Sequence, residues 1–372
     1  MSGRPLMLNK RALLKQMLGW GALGAVASSV TWPGGVQAAS VAKVLALTQP
    51  AVMSPKSQTA AMLAVARAGQ RLVAAGERGV VLLSDDQGNT WRQAATPARA
   101  SLTAVQFVDD KRGWALGHLG VILRTQDGGA TWTKQLDGRE LVKLYEQAAQ
   151  GLSDNAAKAA EDYVGLLADD GPDKPWLGLH FSDAQHGIVV GAYNLALRTA
   201  DGGATWQPLS FALPNPKSLH LYGVKVVGNT VVIVGEQGLL MRSDDGGATF
   251  TAMPSAYKGT WFGLVVLGES DWLVYGLRGT AYRSTDRGTS WQAVNTAVSV
   301  TLSSGLRLKD GRVVLVTQNG DVLVSDATAA NFERRGLPLG APVADATEAA
   351  DGALVVASLR GPLRTSLGPV AR

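Results

Sequence analysis

An eight-residue motif recurs along this chain of 372 residues and constrains its fold more than any other feature. The motif reads Ser/Thr-x-Asp-x-Gly-x-Thr/Ser-Trp/Phe and is known as the Asp box. Its complete copies contain Asp86, Asp127, Asp201, Asp245 and Asp286. The Asp carboxylate can accept backbone N–H groups inside a tight turn, and glycine tolerates the positive φ that such a turn needs. Each copy therefore predicts a structural hairpin turn, and Ser325-Asp326 indicates a degenerate sixth copy.

The spacing of the boxes indicates the architecture. Successive box aspartates are 41, 74, 44 and 41 residues apart. A period near 41 residues is typical of one four-stranded blade of a β-propeller. The interval of 74 residues then holds one period and an insertion of about thirty residues.

A second repeat, Gly-x-x-Gly between short β-branched runs, gives the number of blades. The pattern or a close variant occurs at Gly76–Gly79, Gly117–Gly120, Gly191–Asn194, Gly235–Gly238, Gly276–Gly279, Thr317–Gly320 and Ser358–Gly361. Short strands around such turns indicate hairpins, so the sequence predicts an all-β, seven-bladed β-propeller. The last unit lacks an outer strand. We expect Val41–Leu47 to supply it and close the ring, which would leave no exposed sheet edge.

The long interval after the second box predicts a helical hairpin. Apolar residues recur at helical spacing in two stretches, around Leu141–Ala148 and Ala156–Leu167, with Gly151 and Ser153 between them. We assign residues 137–172 to an insertion between blades 2 and 3. Because it joins an outer strand to the next inner strand, it should emerge on the face that carries the Gly-x-x-Gly turns.

The first 38 residues predict an export signal. Basic residues up to Lys15 precede an apolar, Gly/Ala-rich stretch from Met17 to Trp32, and small residues around Val36 and Ala38 suit a signal peptidase. We expect cleavage after Ala38, a periplasmic location and a propeller domain of residues 39–372. An uncleaved membrane anchor is the alternative, and both the general secretory and the twin-arginine routes remain open.

Composition excludes several classes of function. The formal net charge is +5, but residues 1–38 carry four basic and no acidic side chains, so the rest of the chain has a charge of only +1. This near neutrality predicts no nucleic-acid partner. The chain has no cysteine, which excludes disulfides and thiol catalysis. Its histidines, His118, His180, His186 and His220, lack the paired spacing of metal ligands. We therefore predict no metal and no cofactor.

The run from Gly113 to Trp132, repeated from Gly187 to Trp206, resembles the repeat of the plant and cyanobacterial photosystem II stability/assembly factor family. The similarity spans roughly residues 41–368. It implies an exported or lumenal, seven-bladed, non-catalytic assembly factor for a membrane complex. A relative outside photosynthesis, serving another membrane assembly, remains open.

The resemblance also implies a basic partner-binding patch made by arginines that precede the boxes. The arginines at those positions are Arg124, Arg198, Arg242, Arg283 and Arg364. Leu83 and Val324 replace arginine in two blades, so the patch would be incomplete.

Residues of the Gly-x-x-Gly turns form a second candidate surface, because propeller ligands usually bind where these loops ring the central channel. The turn candidates are Arg78, His118, Tyr193, Glu236, Arg278 and Arg360, and the aromatic candidates at the blade entrances are Trp176, Tyr222 and Trp261. Aromatic and arginine side chains are typical of protein-binding hot spots. We predict a monomeric scaffold that binds a protein partner, with peripheral membrane association as an option.

Two other functions remain as alternatives. Trp176 and Trp261 are compatible with a carbohydrate-binding propeller. Asp boxes also occur in sialidases, which need an arginine cluster and paired carboxylates. The Phe-Arg-Ile-Pro motif of sialidases is absent from this chain, and they usually have six blades. We therefore predict that the protein is not an enzyme.

Overall fold

The computed structural model describes residues 45–336 and 338–368, so the predicted signal segment lies outside the described residues. Within the described ranges, the chain forms seven antiparallel sheets, six of four strands and one of three. The first strand of each sheet contacts the first strand of the next, and the first strand of sheet 1 contacts that of sheet 7. The sheets therefore close into a ring, which confirms the seven-bladed β-propeller.

The strands of the first four blades follow one another in sequence. Blade 1 contains β1 (Met62–Ala68), β2 (Arg71–Gly76), β3 (Val81–Ser84) and β4 (Arg92–Ala94). Blade 2 contains β5 (Leu102–Phe107), β6 (Gly113–Gly117), β7 (Ile122–Thr125) and β8 (Thr133–Leu136). Blade 3 contains β9 (Trp176–Phe181), β10 (Gly187–Gly191), β11 (Ala196–Thr199) and β12 (Gln207–Pro208). Blade 4 contains β13 (Leu221–Val227), β14 (Thr230–Gly235), β15 (Leu240–Ser243) and β16 (Thr251–Ala252).

The last three blades complete the ring. Blade 5 contains β17 (Trp261–Val266), β18 (Trp272–Gly276), β19 (Ala281–Ser284) and β20 (Gln292–Ala293). Blade 6 contains β21 (Leu302–Arg307), β22 (Val313–Thr317), β23 (Val322–Ser325) and β24 (Glu333–Arg334). Blade 7 contains β25 (Val343–Glu348), β26 (Leu354–Ser358) and β27 (Gly361–Thr365).

The second strand of each blade explains why the chain needs neighbouring blades to fold. Strands β10, β14 and β22 are buried along their whole length. Strands covered on both faces appear in a sequence as unbroken apolar runs. The buried apolar clusters join adjacent blades, as in the cluster that contains Val73 of blade 1 and Leu123 of blade 2. Packing of blade on blade therefore forms the core.

Each Asp box folds as a hydrogen-bonded turn between the third and fourth strands. In blade 2, Asp127 Oδ1 accepts the backbone N–H of Thr131 at 2.9 Å, and Oδ2 accepts its hydroxyl at 2.6 Å. The hydroxyl of Thr125 donates to Asp127 Oδ1 at 2.8 Å and accepts the N–H of Gly129 at 2.9 Å. Gly129 has a φ of 84°, so a side chain at this position would be strained.

The insertion forms a helical hairpin, α1 (Gly138–Ala149) and α2 (Asp154–Asp170). Asp137 caps α1, since its carboxylate accepts the N–H of Arg139 at 3.0 Å. Tyr145 is fully buried and its hydroxyl meets Ser210 Oγ at 2.7 Å. The hairpin lies between blades 2 and 3 and contacts the turn that follows β6, which confirms its predicted position and face. Over the described residues, no helix combines the length and apolar character needed to cross a membrane.

The expected closing strand at 41–47 is wrong for the part that the structure describes. Residues 45–48 are helical, blade 7 has three strands, and residues 41–44 lie outside the described ranges. Leu47 is fully buried in the core cluster shared by blades 1 and 2. Its carbonyl accepts a hydrogen bond from Lys134 Nζ at 3.0 Å. Burial of Leu47 at this site therefore holds the segment against blades 1 and 2.

Side-chain contacts, rather than a shared strand, close the ring between blades 7 and 1. Asp345 Oδ2 accepts the N–H of Val65 at 3.0 Å. Gln87, in the box of blade 1, accepts the N–H of Ala350 at its side-chain oxygen and Arg364 Nη1 at its carbonyl, both at 2.8 Å. An apolar cluster shared by the two blades lies behind these contacts.

Candidate partner-binding site

Each blade has two kinds of turn, and they lie at opposite ends of the blade. The Gly-x-x-Gly turn joins the second strand to the third, and the Asp box joins the third to the fourth. Because successive connections of an antiparallel sheet alternate between its ends, the turns define a turn face and the boxes a box face. The predicted residues therefore separate into two groups. The turn residues, from Arg78 to Arg360, lie on the turn face, and the five arginines that precede the boxes lie towards the box face.

Five of the seven turns hold their third residue in a left-handed conformation. The residues are Arg78, Leu119, Tyr193, Gln237 and Arg278, with φ between 53° and 59°. This conformation costs a non-glycine residue about 1 kcal/mol or more. Leu119 adopts it although its side chain is buried. The strained backbone is therefore a property of the repeat, and it projects the other side chains away from the blade.

Exposure differs among the turn-face candidates. Arg78, Tyr193, Arg278 and Arg360 are exposed, whereas His118, Tyr222 and Glu236 are half-buried. Tyr193 exposes 37% of its surface, enough to offer a ring to a partner.

The prediction that Trp176 and Trp261 line this surface is wrong. They expose 0% and 1% of their surface. Each occupies the first position of an inner strand, where the side chain packs into the core between blades. The ring of Trp261 contacts those of Tyr257 and Tyr282, with centroids 4.8 and 5.7 Å apart.

Tyr193 belongs to an aromatic cluster that spans blades 3 to 5. Its ring meets His220 edge-on with centroids 4.5 Å apart, and Tyr222 meets Phe262 at 5.0 Å. The N–H of Tyr193 donates to His220 Nδ1 at 3.0 Å, and Glu236 Oε2 accepts the N–H of His220 at 2.9 Å. Burial lowers the pKa of His220, against the opposing effect of Glu236. A neutral His220 therefore orients the exposed ring of Tyr193.

The insertion supports the same cluster. The hydroxyl of Tyr163 on α2 donates to the carbonyl of Tyr193 at 2.9 Å. The ammonium of Lys174 lies 5.9 Å from the centre of the Tyr193 ring and 3.2 Å from Asp170 Oδ2. The turn and the hairpin thus form one continuous surface.

Most arginines that precede the boxes contact the protein itself. Arg242, Arg283 and Arg364 pair with Asp244, Asp271 and Asp351 at 3.0, 2.6 and 2.8 Å.

Some of these arginines also join neighbouring blades. Arg242 Nη1 donates to the carbonyl of Arg287 in the box of the next blade at 2.6 Å. Arg124 lies 5.8 Å from the centre of the Trp114 ring. Arg198 is exposed and donates to the side chain of Gln207 at 3.2 Å. Arg242 and Arg364 therefore tie neighbouring blades together, and the charges of Arg242, Arg283 and Arg364 are partly neutralised.

The central ring of strands carries half-buried ionisable groups that the sequence did not single out. Burial lowers the pKa of Lys225 on β13 and raises that of Asp345 on β25. Burial also lowers the pKa of His180 on β9 to about 4, and Lys225 adds to the effect. Among the described residues, no three acidic, histidine or cysteine side chains are placed to hold a metal ion.

A cavity beside blade 1 is a further site that the sequence did not indicate. Residues 52–60 cross the outer side of the blade and leave a cavity of about 490 Å³ against its Gly-x-x-Gly turn. Lys56, Arg78 and Arg99 line the cavity. Residues 52–60 have no periodic pattern, so only the predicted turn position of Arg78 could have pointed there.

The chain matches the family model described as "Photosynthesis system II assembly factor YCF48" over residues 47–126, 83–154 and 171–331. A curated relative from Prochlorococcus marinus, named "Photosystem II assembly lipoprotein Ycf48", is 35% identical over 164 residues. The match covers 44% of this chain and 47% of the relative, so the chain spans about half the length of the curated relatives it matches.

Solved structures share the fold at low sequence identity. YCF48 from Cyanidioschyzon merolae matches with a TM-score of 0.61 and 15% identity, over 85% of this chain and 98% of that one. The GH74 xyloglucanase from Xanthomonas campestris matches with a TM-score of 0.58 and 10% identity, over 85% of this chain and 53% of that one. Because an assembly factor and a hydrolase match almost equally well, this likeness shows the fold alone.

Proposed function

Because this chain belongs to the photosynthesis system II assembly factor YCF48 family, matched over most of residues 47–331, we propose that it is a non-catalytic assembly factor for a membrane protein complex. The family match carries the proposal. The name of its curated relative, an assembly lipoprotein, describes the same kind of role. The partner is a protein subunit of the complex, and the chain binds it as a monomer at the periphery of the membrane.

The proposed contact surface is the turn face together with the helical hairpin. Tyr193 and Arg278 are exposed there, and arginine and tyrosine are the residues that contribute most to protein interfaces. The arginines that precede the boxes are weaker candidates, because three of them are engaged in ion pairs. The exposed Arg198 is the member of that group with most of its charge available.

The proposal includes export to the periplasm after cleavage behind Ala38. The basic and then apolar pattern of residues 1–38 supports it, as does the name lipoprotein given to the relative. Fractionation of the host cell and the mass of the mature N-terminus test this part. A periplasmic protein beginning at Ala39 is the expected result, and a cytoplasmic protein that retains Met1 would contradict it.

Two observations count against the alternative functions. Carbohydrate binding rested on Trp176 and Trp261, which are buried. A sialidase also needs paired carboxylates, but those of Glu77 and Glu236 in the turns accept the backbone N–H groups of Ala61 and His220 at 3.3 and 2.9 Å. Both glutamates therefore secure the chain before an inner strand, which is a structural role.

Crosslinking in living host cells tests the assembly role. The tagged full-length protein is crosslinked, purified under denaturing conditions and analysed by mass spectrometry, beside the variant Tyr193→Ala/Arg278→Glu. The expected result is capture of a membrane-complex subunit by the wild type and its loss from the variant. Lys111→Glu, at an exposed lysine on the box face that belongs to neither candidate group, is the matched control and should retain capture.

Deletion of the hairpin is not a suitable variant, because Tyr145 and Leu141 of α1 are part of the core. Both variants must keep the melting temperature of the wild type for the comparison to count. Capture of no membrane-complex subunit by the wild type, in cells where the complex is being assembled, would reject the proposed function.

A further inference from the structure

We propose that the cavity between residues 52–60 and the turn of blade 1 binds a short, extended, acidic peptide segment of the protein partner. The inference rests on the proposed function, since it takes the partner to be a protein. It names a site apart from the arginines that precede the boxes, and it adds the chemistry of the segment that the site would recognise.

The cavity has a fixed wall on its outer side. The N–H of Ala51 donates to the carbonyl of Thr96 at 3.0 Å. Gln93 accepts the N–H of Ser54 and donates to the carbonyl of Val52, both at 2.9 Å. These bonds hold residues 50–54 against blade 1, so the cavity exists before a ligand arrives. A preformed site avoids the ordering cost that weakens binding to flexible segments.

The volume and walls suit a few residues of an extended chain. The cavity measures about 490 Å³, within the range of sites that enclose small ligands. Val52, Ala60 and Val80 contribute apolar walls. Val52 and Met53 expose 59% and 56% of their surface, and Met53 lines a shallow surface depression that adjoins the cavity. An extended peptide could place apolar side chains against these residues.

The charge of the lining favours an acidic ligand. Lys56, Arg78 and Arg99 line the cavity and are exposed. Glu77 is the one carboxylate among the lining residues, and its Oε1 accepts the N–H of Ala61 at 3.3 Å. In the part of the chain that the structure describes, none of these three cations forms an ion pair, in contrast to Arg242, Arg283 and Arg364.

The turn of blade 7, which contains Arg360, packs against residues 58–59 near the cavity. Gly361 lies so close to Gln58 that a Cβ on it would stand 2.1 Å from the Gln58 carbonyl oxygen. This contact brings the exposed Arg360 next to residues 57–59. Carboxylates that enter the cavity would therefore meet guanidinium groups, which bind carboxylates in bidentate geometry.

Two other occupants fit these features less well. Residues 1–44 of the chain itself carry five basic and no acidic side chains, so their charge does not complement the cavity. An anionic membrane surface would meet cations on a convex face, whereas these cations surround a concave site with apolar walls. Peptides that bind grooves use alternating side chains in this way, with charge and pocket contacts setting specificity.

Fluorescence anisotropy with the full-length mature protein tests the inference. The probe is a fluorescein-labelled peptide of alternating glutamate and leucine, and the comparison peptides replace glutamate by lysine or leucine by serine. We expect binding of the Glu/Leu peptide that weakens as salt rises, weaker binding of the serine peptide, and none of the lysine peptide. Lys56→Gln/Arg78→Gln should weaken binding of the Glu/Leu peptide roughly tenfold.

The matched control is Lys111→Gln/Lys309→Gln, which removes two exposed cations outside every candidate surface and should leave the affinity unchanged. Because the chain has no cysteine, a photo-crosslinker can be placed at single sites to locate the peptide. Met53→Cys should crosslink to it, and Ala204→Cys in the box of blade 3 should not. Equal binding by both double variants, or stronger crosslinking at position 204, would overturn the inference.

Two results separate this inference from the proposed function. If Lys56→Gln/Arg78→Gln still captures the membrane-complex subunit in cells while no acidic peptide binds the wild type, the cavity is not a peptide site and the assembly role stands. Binding to vesicles of anionic phospholipid without binding to the peptide would also overturn the inference, in favour of a membrane surface.

Discussion

The carboxylate of Asp345 in blade 7 accepts the backbone N–H of Val65 in blade 1 at 3.0 Å, across the junction where the ring closes. Its other oxygen accepts the hydroxyl of Ser304 in blade 6 at 2.8 Å. One side chain thus joins three blades. Blade 7 has no fourth strand at this junction. The hydrogen bonds of this carboxylate therefore help to hold blades 7 and 1 together in place of a closing strand.

Replacement of Asp345 by alanine should weaken the junction. The N–H of Val65 and the hydroxyl of Ser304 would lose their acceptor, and a buried polar group without a partner costs about 1–3 kcal/mol. We expect the free energy of unfolding in urea to fall by roughly that amount, with faster hydrogen exchange at Val65. The variant Asp345→Asn keeps one acceptor oxygen, so its free energy of unfolding should fall by less. Glu146→Ala, at an exposed site, is the control. Unchanged exchange at Val65 in Asp345→Ala would contradict this role.

Intact and degenerate Asp boxes should contribute differently to the free energy of unfolding. Asp127 holds the N–H and hydroxyl of Thr131 and the hydroxyl of Thr125. Asp326 holds only the N–H and hydroxyl of Thr328 at short range, and the hydroxyl of Ser325 at 3.5 Å. Asp127→Ala should lower the free energy of unfolding by about 1 kcal/mol, and Asp326→Ala by less. Denaturant unfolding measures both changes. An equal fall in the free energy of unfolding would show that the hydrogen bond from the first Ser/Thr of the box adds nothing to stability.

The burial of Tyr145 indicates that the helical hairpin is part of the core. The side chain is fully buried, and its hydroxyl bonds to Ser210 Oγ and the carbonyl of Ala196. Tyr145→Phe should cost about 1 kcal/mol for the lost hydrogen bonds, and Tyr145→Ala about 3–5 kcal/mol for the cavity as well. Leu166→Ala on α2, where the leucine is 60% exposed, should change stability little. Thermal and urea unfolding provide the measurements. A similar loss for Tyr145→Ala and Leu166→Ala would indicate a hairpin that does not contribute to the core.

The sequence predicted what its repeats encode locally. Each box and each Gly-x-x-Gly turn involves residues only a few positions apart, so the blade count and the place of the hairpin followed from spacing. Trp176 and Trp261 were misplaced because whether the first residue of an inner strand faces solvent or a neighbouring blade depends on packing between blades.

Contacts between distant segments could not be predicted from the sequence either. The partner of Arg242 is the carbonyl of Arg287, in the next blade, and no local pattern indicates such a pair. Leu47 is buried between blades 1 and 2. This packing keeps its segment away from blade 7, where the N-terminal strand was expected to close the ring. The cavity at residues 52–60 depends on Gln93 and Thr96, about forty residues further along the chain.

His180 predicts a loss of stability in mild acid. Burial lowers its pKa to about 4, and the nearby Lys225 adds to the shift, whereas an unfolded histidine titrates near pH 6.5. Between these values the unfolded chain binds a proton that the native protein does not, so the free energy of unfolding falls as the pH decreases from about 6.5 to 4.

His180→Gln removes this titration, while His118 and His220, whose pKa values burial also lowers, remain in both proteins. The difference between the two proteins therefore reports His180 alone. Urea unfolding at pH 7.5 and pH 4.5 should show a decrease in stability that is smaller in the variant by about 2 kcal/mol. His186→Gln controls for the loss of an exposed imidazole. An identical decrease in wild type and His180→Gln would show that the native protein accepts the proton at His180 as readily as the unfolded chain, and that the inner strands leave this ring accessible to water.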